Sequence, residues 1–452
     1  MNEERLSELR KRVFQGYMKK TPKSGQMYER MLASSYGSGG WTFEPYPLYT
    51  THGSGSKVYD ADGNEYIDCQ LCHGPMLLGH CHPEVADAIK REVDRGSLLS
   101  YPADLLLEAA ELLKEVIPCA EKVRFVNTGT ESAIPAVRIA RTCTGKKKII
   151  KFYGHYHGWD DQFLVATAGN KAIVGSAGIP GEHLVNTVLV KFNDIDAVKC
   201  KLDEDNDIAA VILDPQMSRG GWTPSPGYLR ELRKLTKERG VLLIFDEIQT
   251  AFRLALGGAQ EYFGVIPDLA IISKSLANGE KLAAVVGREE FMRTMYGKSG
   301  VVGAGGDTVL ASGTFTNGTT ALAACIATIK VFKRLNEEGA YQKIFQLGSK
   351  LKSGIETAFK ERGLPCHVNN LGPTTHVYLT DLEPDYDVYC NLDKRALWLF
   401  HLSLMTEGVF FTIPRNGLSI LSFAHTEEDV QKIIDAAGSS LDKNNFAGVL
   451  LS

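Results

Sequence analysis

The sequence predicts an α/β protein, with a large domain around a mainly parallel central sheet and a smaller α+β domain formed from both ends of the chain. Three observations carry this expectation. From about residue 85, helix-like and strand-like segments alternate, a pattern that places a parallel sheet between layers of helices. Ile208–Leu213, Val241–Phe245 and Leu269–Ile272 are short apolar runs, as strands buried on both faces require. After about residue 335 the alternation gives way to a smaller mixed unit. The expected divisions are an N-terminal segment over 1–84, a large domain over 85–334 and a C-terminal unit over 335–452.

In chain order, Leu6, Leu9, Val13 and Tyr17 recur at helical spacing and predict an amphipathic first helix. This stretch is charged and lacks the apolar core of a signal peptide. A Gly- and Ser-rich loop ends at Gly37-Ser38-Gly39-Gly40. Val58 to Asp68 reads as a hairpin about an Asp62-Gly63 turn. Strands follow at Val123–Asn127, Lys148–Phe152, Ile208–Leu213, Leu242–Phe245 and Leu269–Ile272. Tyr228, Leu232 and Leu235 share one face of the helix before the fourth strand, and Gly240 is placed to cap it. A long helix from Thr319 turns Leu322, Cys325, Ile326 and Ile329 inward. Thr426-Glu427-Glu428-Asp429 opens the last helix with capping-box spacing.

At 452 residues the chain exceeds one ordinary core, so two or three packed units are expected. A formal charge of −4 argues against a nucleic-acid groove. No run is long enough to span a bilayer, and the expected location is the cytoplasm. The cysteines number nine, an odd count spread over the whole length, which suits reduced thiols. Cys69-Gln70-Leu71-Cys72-His73 spells a haem-attachment pattern. Without an export signal, and inside an α/β pattern, it reads as ordinary structure.

The chemistry gathers at strand ends. Asp246 closes an apolar run, and Lys274, 28 positions on, follows the next one. In α/β sheets ligands collect at the carboxyl ends of parallel strands. An acid and a lysine emerging there suit pyridoxal 5'-phosphate, with the lysine forming a Schiff base and the acid keeping the ring nitrogen protonated. Val123–Asn127 followed by Thr128-Gly129-Thr130-Glu131 reads as strand, tight turn and helix start, a place where free N–H groups and a hydroxyl hold phosphate. Neither a P-loop nor a dinucleotide fingerprint occurs. After the next strand, the aromatic Tyr156 is placed to lie on a planar ring. His155, His157, Asp160 and Asp161 on that glycine-flanked turn show no chelating face, so no metal is expected.

Taken together, these segments resemble the class III aminotransferases of fold type I, in the branch that contains glutamate-1-semialdehyde 2,1-aminomutase. The likeness runs in order through Phe125–Glu131, Tyr156-His157-Gly158, Phe245–Arg253, Gly258–Gly264, Pro267-Asp268-Leu269 leading to Lys274, Gly313–Thr316 and Ala424–Asp429. It implies a fold type I transferase in which Lys274 forms the Schiff base and shuttles a proton, while Asp246 pairs with the pyridinium nitrogen. Gly129 and Thr130 would hold the phosphate and Tyr156 would stack on the ring. Asp214 stands where a glutamate is usual before the proline. The resemblance also implies a homodimer in which Thr314 reaches the phosphate of the neighbouring subunit.

Departures bear on the substrate. The aminomutase's carboxylate-gripping arginine aligns with Ser38, and no arginine lies between Arg30 and Arg91. Arg415 is an alternative grip on an acid, with a surface role equally open to it. His73 aligns with a pocket tryptophan, and Trp41 is placed to line the same cavity. Residues 167–182 resemble a gate. The reading is therefore an aminotransferase moving an amino group from an amine or amino acid to an oxo acceptor. The rivals are an isomerase (aminomutase or epimerase) using the same residues, a non-catalytic binding protein on this fold, and a haem or thiol redox protein.

Overall fold

The computed structural model describes residues 2–35, 43–167, 171–296, 308–412 and 417–451. Strands are numbered along the chain as β1 (Thr50–Ser54), β2 (Lys57–Asp60), β3 (Glu65–Asp68), β4 (Lys122–Val126), β5 (Lys148–Phe152), β6 (Thr187–Val190) and β7 (Ile208–Leu213). They continue as β8 (Leu242–Asp246), β9 (Leu269–Ile272), β10 (Ala283–Gly287), β11 (His367–Leu371), β12 (Thr374–Tyr378), β13 (Val409–Phe410) and β14 (Ser419–Ile420). The chain forms two compact units, residues 83–341 in one and residues 1–82 with 342–452 in the other. The expected division at 334/335 falls inside the Thr319–Glu337 helix. The following turn also belongs to the middle unit, because the Tyr341 hydroxyl donates to the Phe252 carbonyl at 2.8 Å.

The middle unit is organised by a seven-stranded sheet in the order β4-β10-β9-β8-β7-β5-β6. Pairings from β9 to β6 are parallel, whereas β10 runs antiparallel to both β4 and β9. Residues of β7, β8 and β9 are buried throughout, which is why their sequences read as unbroken apolar runs rather than alternating ones. All five expected strands are present, and β6 and β10 are added. The latter, Ala283-Ala284-Val285-Val286-Gly287, is rich in residues of low strand propensity, so propensity hides it. β8 extends one residue further than expected because Asp246 pairs in register with Ile271. The Tyr228–Glu238 helix buries Tyr228, Leu232 and Leu235, and Gly240 beyond it takes a left-handed φ of 58°.

The other unit holds two sheets, β1-β2-β3-β13 and β11-β12-β14. β2 and β3 form the expected hairpin. The Glu3–Lys20 helix buries Leu6, Leu9, Val13 and Tyr17 in a core shared with the Arg395–Thr406 and Glu427–Lys443 helices. The last of these opens with a reciprocal capping box between Thr426 and Asp429.

Candidate active site

Lys274, Asp246 and Asp214 lie where strands of the middle unit end. β9 runs into Ser273 and then Lys274, whose φ of 48° is left-handed. Such a backbone is costly for a residue with a side chain and marks a constrained position. The Lys274 amine donates to the Gln249 side-chain oxygen at 2.5 Å. Burial, with help from the nearby Arg253 charge, pushes its pKa down to about 8. Arg253 is itself fully buried. Its Nε donates to the Gln249 carbonyl at 2.7 Å and its Nη2 to Ser275 Oγ at 3.1 Å, bracing the neighbours of Lys274 on both sides.

Asp246 ends β8, the strand beside β9. One of its oxygens accepts from the Ile248 amide at 3.1 Å and the other is 2.7 Å from His157 Nδ1. His157 is fully buried, and burial pushes its pKa down to about 4, so the ring is neutral and its Nδ1 shares a single proton with the Asp246 oxygen. Asp214 follows β7. Its amide donates to His155 Nδ1 at 3.0 Å, which puts the His155 proton on Nε2. An oxygen of Asp214 lies 3.5 Å from His157 Nδ1, and the other has no hydrogen-bond partner. Burial pushes both acids up to about 7; for Asp214 the charge of Asp246 adds to this.

His155, His157 and Asp214 carry metal-binding donor types close together. Both Nδ1 atoms are engaged within the protein, by the Asp214 amide and by Asp246. The set therefore serves as a hydrogen-bonded support for Asp246. Beneath it, the buried Lys151 amine donates to the carbonyls of His155 and Val165 at 2.7 and 2.8 Å. That ties the turn bearing Tyr156 and His157 to the following segment. Burial pushes Lys151 down to about 7.

The expected phosphate end is a helix start. Thr128 caps the Gly129–Thr144 helix by accepting from the Glu131 amide at 3.2 Å. The Glu131 carboxylate turns to the amide and side chain of Asn127, so the capping-box spacing yields half a box. A Cβ at Gly129 would sit 2.6 Å from the tip of the Ile248 side chain, which would have to move aside. Thr130 Oγ1 accepts from the Trp159 amide at 3.3 Å, which leaves its own proton free to donate and sets the Tyr156 turn against this helix. Gly158 has a φ of 114°, and a Cβ there would sit 2.6 Å from Thr130 Oγ1. Tyr156 is 40% exposed.

Thr314 is exposed in the same unit. His73 belongs to the other unit, in a turn where Leu71, Cys72 and His73 are all left-handed, with its Nε2 2.9 Å from the side-chain Nε2 of Gln70. Trp41 and Arg415 lie outside the described residues, as do Ser38 and positions 168–170 of the gate-like loop. Cys69 is buried and Cys72 exposed, and both are free thiols. Sequence reasoning missed Gln249, Arg253 and Lys151, and set His155 and His157 aside as non-chelating. Gln249 stands in the segment after Asp246, and only the three-dimensional pairing with Lys274 reveals it.

A half-buried amine with a neutral partner and an adjacent buried acid, both at parallel strand ends, fit pyridoxal 5'-phosphate. Comparison with known proteins agrees. Residues 42–399 match the family model described as aminotransferase class-III. A glutamate-1-semialdehyde 2,1-aminomutase of Archaeoglobus fulgidus is 39% identical over 403 residues, 88% of this chain and 94% of that protein. The solved structure of an omega-transaminase from Sphaerobacter thermophilus is 29% identical with a TM-score of 0.86, covering 93% of this chain and 98% of that one. A transaminase solved with pyridoxal phosphate bound is 30% identical with a TM-score of 0.83, over 95% and 99%. With the fold, the strand-end amine and acid, and these likenesses in agreement, the chain belongs to the class III aminotransferases, the pyridoxal-phosphate enzymes of fold type I.

Proposed function

We propose that this protein moves an amino group on a small molecule, with Lys274 as the cofactor attachment site and proton carrier. The observation that carries the reading is the placement of Asp246 and Lys274 at the ends of the paired strands β8 and β9. When bound, the cofactor supplies an electron-accepting ring that stabilises negative charge at the substrate carbon. The residues of the chain do the rest. Asp246 holds a proton on the ring nitrogen, and His157, backed by Asp214, orients the carboxylate. The lowered basicity of Lys274 keeps part of the amine uncharged near neutral pH, fit to attack a carbonyl carbon and to carry a proton. Gly129 and Thr130 would offer N–H groups and a hydroxyl to the phosphate, and Tyr156 would cover the ring.

Two readings share these residues. The curated relatives are named aminomutases at up to 39% identity, which puts rearrangement within one molecule first. Transfer from a donor to a separate oxo acceptor is favoured by the lack of any arginine between Arg30 and Arg91 and by the transaminase structures. A homodimer, with Thr314 reaching the neighbour's phosphate, goes with either reading.

The experiment is to follow the visible absorption of the cofactor-loaded protein as candidate amines are added without an oxo acceptor. Lasting bleaching with one oxo product released per site supports transfer, and bleaching that recovers without such a product supports rearrangement. Lys274→Ala is expected to lose turnover by more than about 1,000-fold while staying folded. Substantial activity in that variant would end the proposal, as would a protein that takes up no pyridoxal phosphate.

A further inference from the structure

Arg219 stands apart from every other charged group around this site. It lies on the segment after β7, five residues beyond Asp214, with its guanidinium carbon 5.9 Å from the centre of the Tyr156 ring. It is half-buried, and among the described residues it has no ion pair and no hydrogen bond. Other cations of this unit are engaged: Arg253 by Gln249 and Ser275, Lys274 by Gln249, and Lys151 by two carbonyls. The Arg219 charge is nevertheless felt in the site. Burial raises the Tyr156 hydroxyl's pKa, and Arg219 opposes that rise. Burial lowers that of the Lys151 amine, and Arg219 adds to the fall.

The turn that presents Arg219 is built to hold it. The Met217 amide donates to the Trp222 carbonyl at 2.9 Å and the Gly221 amide to the Met217 carbonyl at 3.2 Å. Gly220 and Gly221 have φ values of 84° and 74°, and any Cβ at Gly220 would run into the Trp222 ring. The backbone at the tip is thus closed by hydrogen bonds and forced into a left-handed bend that only glycine adopts easily. A guanidinium lying on an aromatic face keeps its in-plane donors open, and those donors match the two oxygens of a carboxylate.

We propose that Arg219 is a specificity-determining residue that receives a carboxylate of the substrate at the edge of the Tyr156 ring, making the substrate class amino acids and oxo acids rather than simple amines. This rests on the amino-group chemistry proposed for Lys274. It gives the chain a carboxylate-binding guanidinium that the stretch between Arg30 and Arg91 does not contain.

The test uses the pyridoxal-phosphate-loaded wild type, Arg219→Lys and Arg219→Gln, with propanoate and propanamide as a matched pair that differs in charge at one end. Binding is read from the cofactor's visible spectrum, which needs no turnover. Wild type is expected to favour propanoate, and Arg219→Gln to lose that preference by roughly 10- to 100-fold, the range for a hydrogen-bonded charge. Arg219→Lys should keep part of it, and the affinity for the cofactor should be unchanged. The proposal is overturned if wild type shows no preference, if Arg219→Gln keeps it, or if the substitution acts only by weakening cofactor binding. Failure of the underlying reading looks different, because then no protein in the series takes up the cofactor.

Discussion

Asp214 and Asp246 form a buried acid pair bridged by one imidazole. Both are pushed up to about 7 from an ordinary 3.8. As pH rises from about 4 to 7, the unfolded chain therefore loses these protons first, and the folded protein holds the larger number. Stability from this pair is complete below about pH 4 and is lost as the pH rises through 7. In protein freed of cofactor, Asp214→Asn should lose less stability than wild type across that window, measured by urea unfolding. An equal or steeper loss would show that Asp214 is not one of the titrating acids. At this scale Lys274 and Asp246 were legible because each follows a recognisable strand. Gln249, Arg253 and Lys151 were not, because each acts through a partner reached only when the sheet forms. Lys151 alternates with Ile150 and Phe152 in a strand, and nothing local says that its amine is capped by carbonyls 4 and 14 residues away.

Among elements, the Gly129–Thr144 helix depends most on a few atoms. Its cap is the single bond to Thr128, and Pro135 inside it removes one N–H from the ladder. Thr128→Ala is expected to cost about 1 kcal/mol in thermal or urea unfolding, and Thr128→Ser almost nothing. Equal stability of Thr128→Ala and wild type would show that the cap carries no weight. The strand run β7, β8, β9 was legible because burial on both faces writes itself as apolar runs. β10 was not: its alanines and glycine look like a loop, and its place between β4 and β9 is decided by pairing rather than by its own preference.

For the whole molecule, the middle unit exposes Leu98, Leu99, Tyr101, Leu107, Leu310 and Phe315. Thr319 bonds to the carbonyls of Gly96 and Ser97, which brings the segment beginning at Leu98 beside the one carrying Thr314 and Phe315. Exposed apolar groups gathered in this way suit a subunit contact. The double change Tyr101→Glu with Phe315→Glu is expected to turn a dimer into a monomer in sedimentation velocity and to weaken cofactor retention. A wild-type monomer, or a dimer untouched by both changes, would remove that proposal. Among the described residues no helix is long and apolar enough to cross a membrane.

The pairing of β3 with β13 has a consequence for how the chain is made. Ile67 sits in parallel register with Val409, a partner synthesised 342 positions later. Everything the middle unit needs has left the ribosome before that partner exists. Until that partner is made, β3 has one strand edge unpaired, and such an edge is an open template for another chain. The candidate active-site unit is in effect an insertion between the two stretches of chain that together form the other unit.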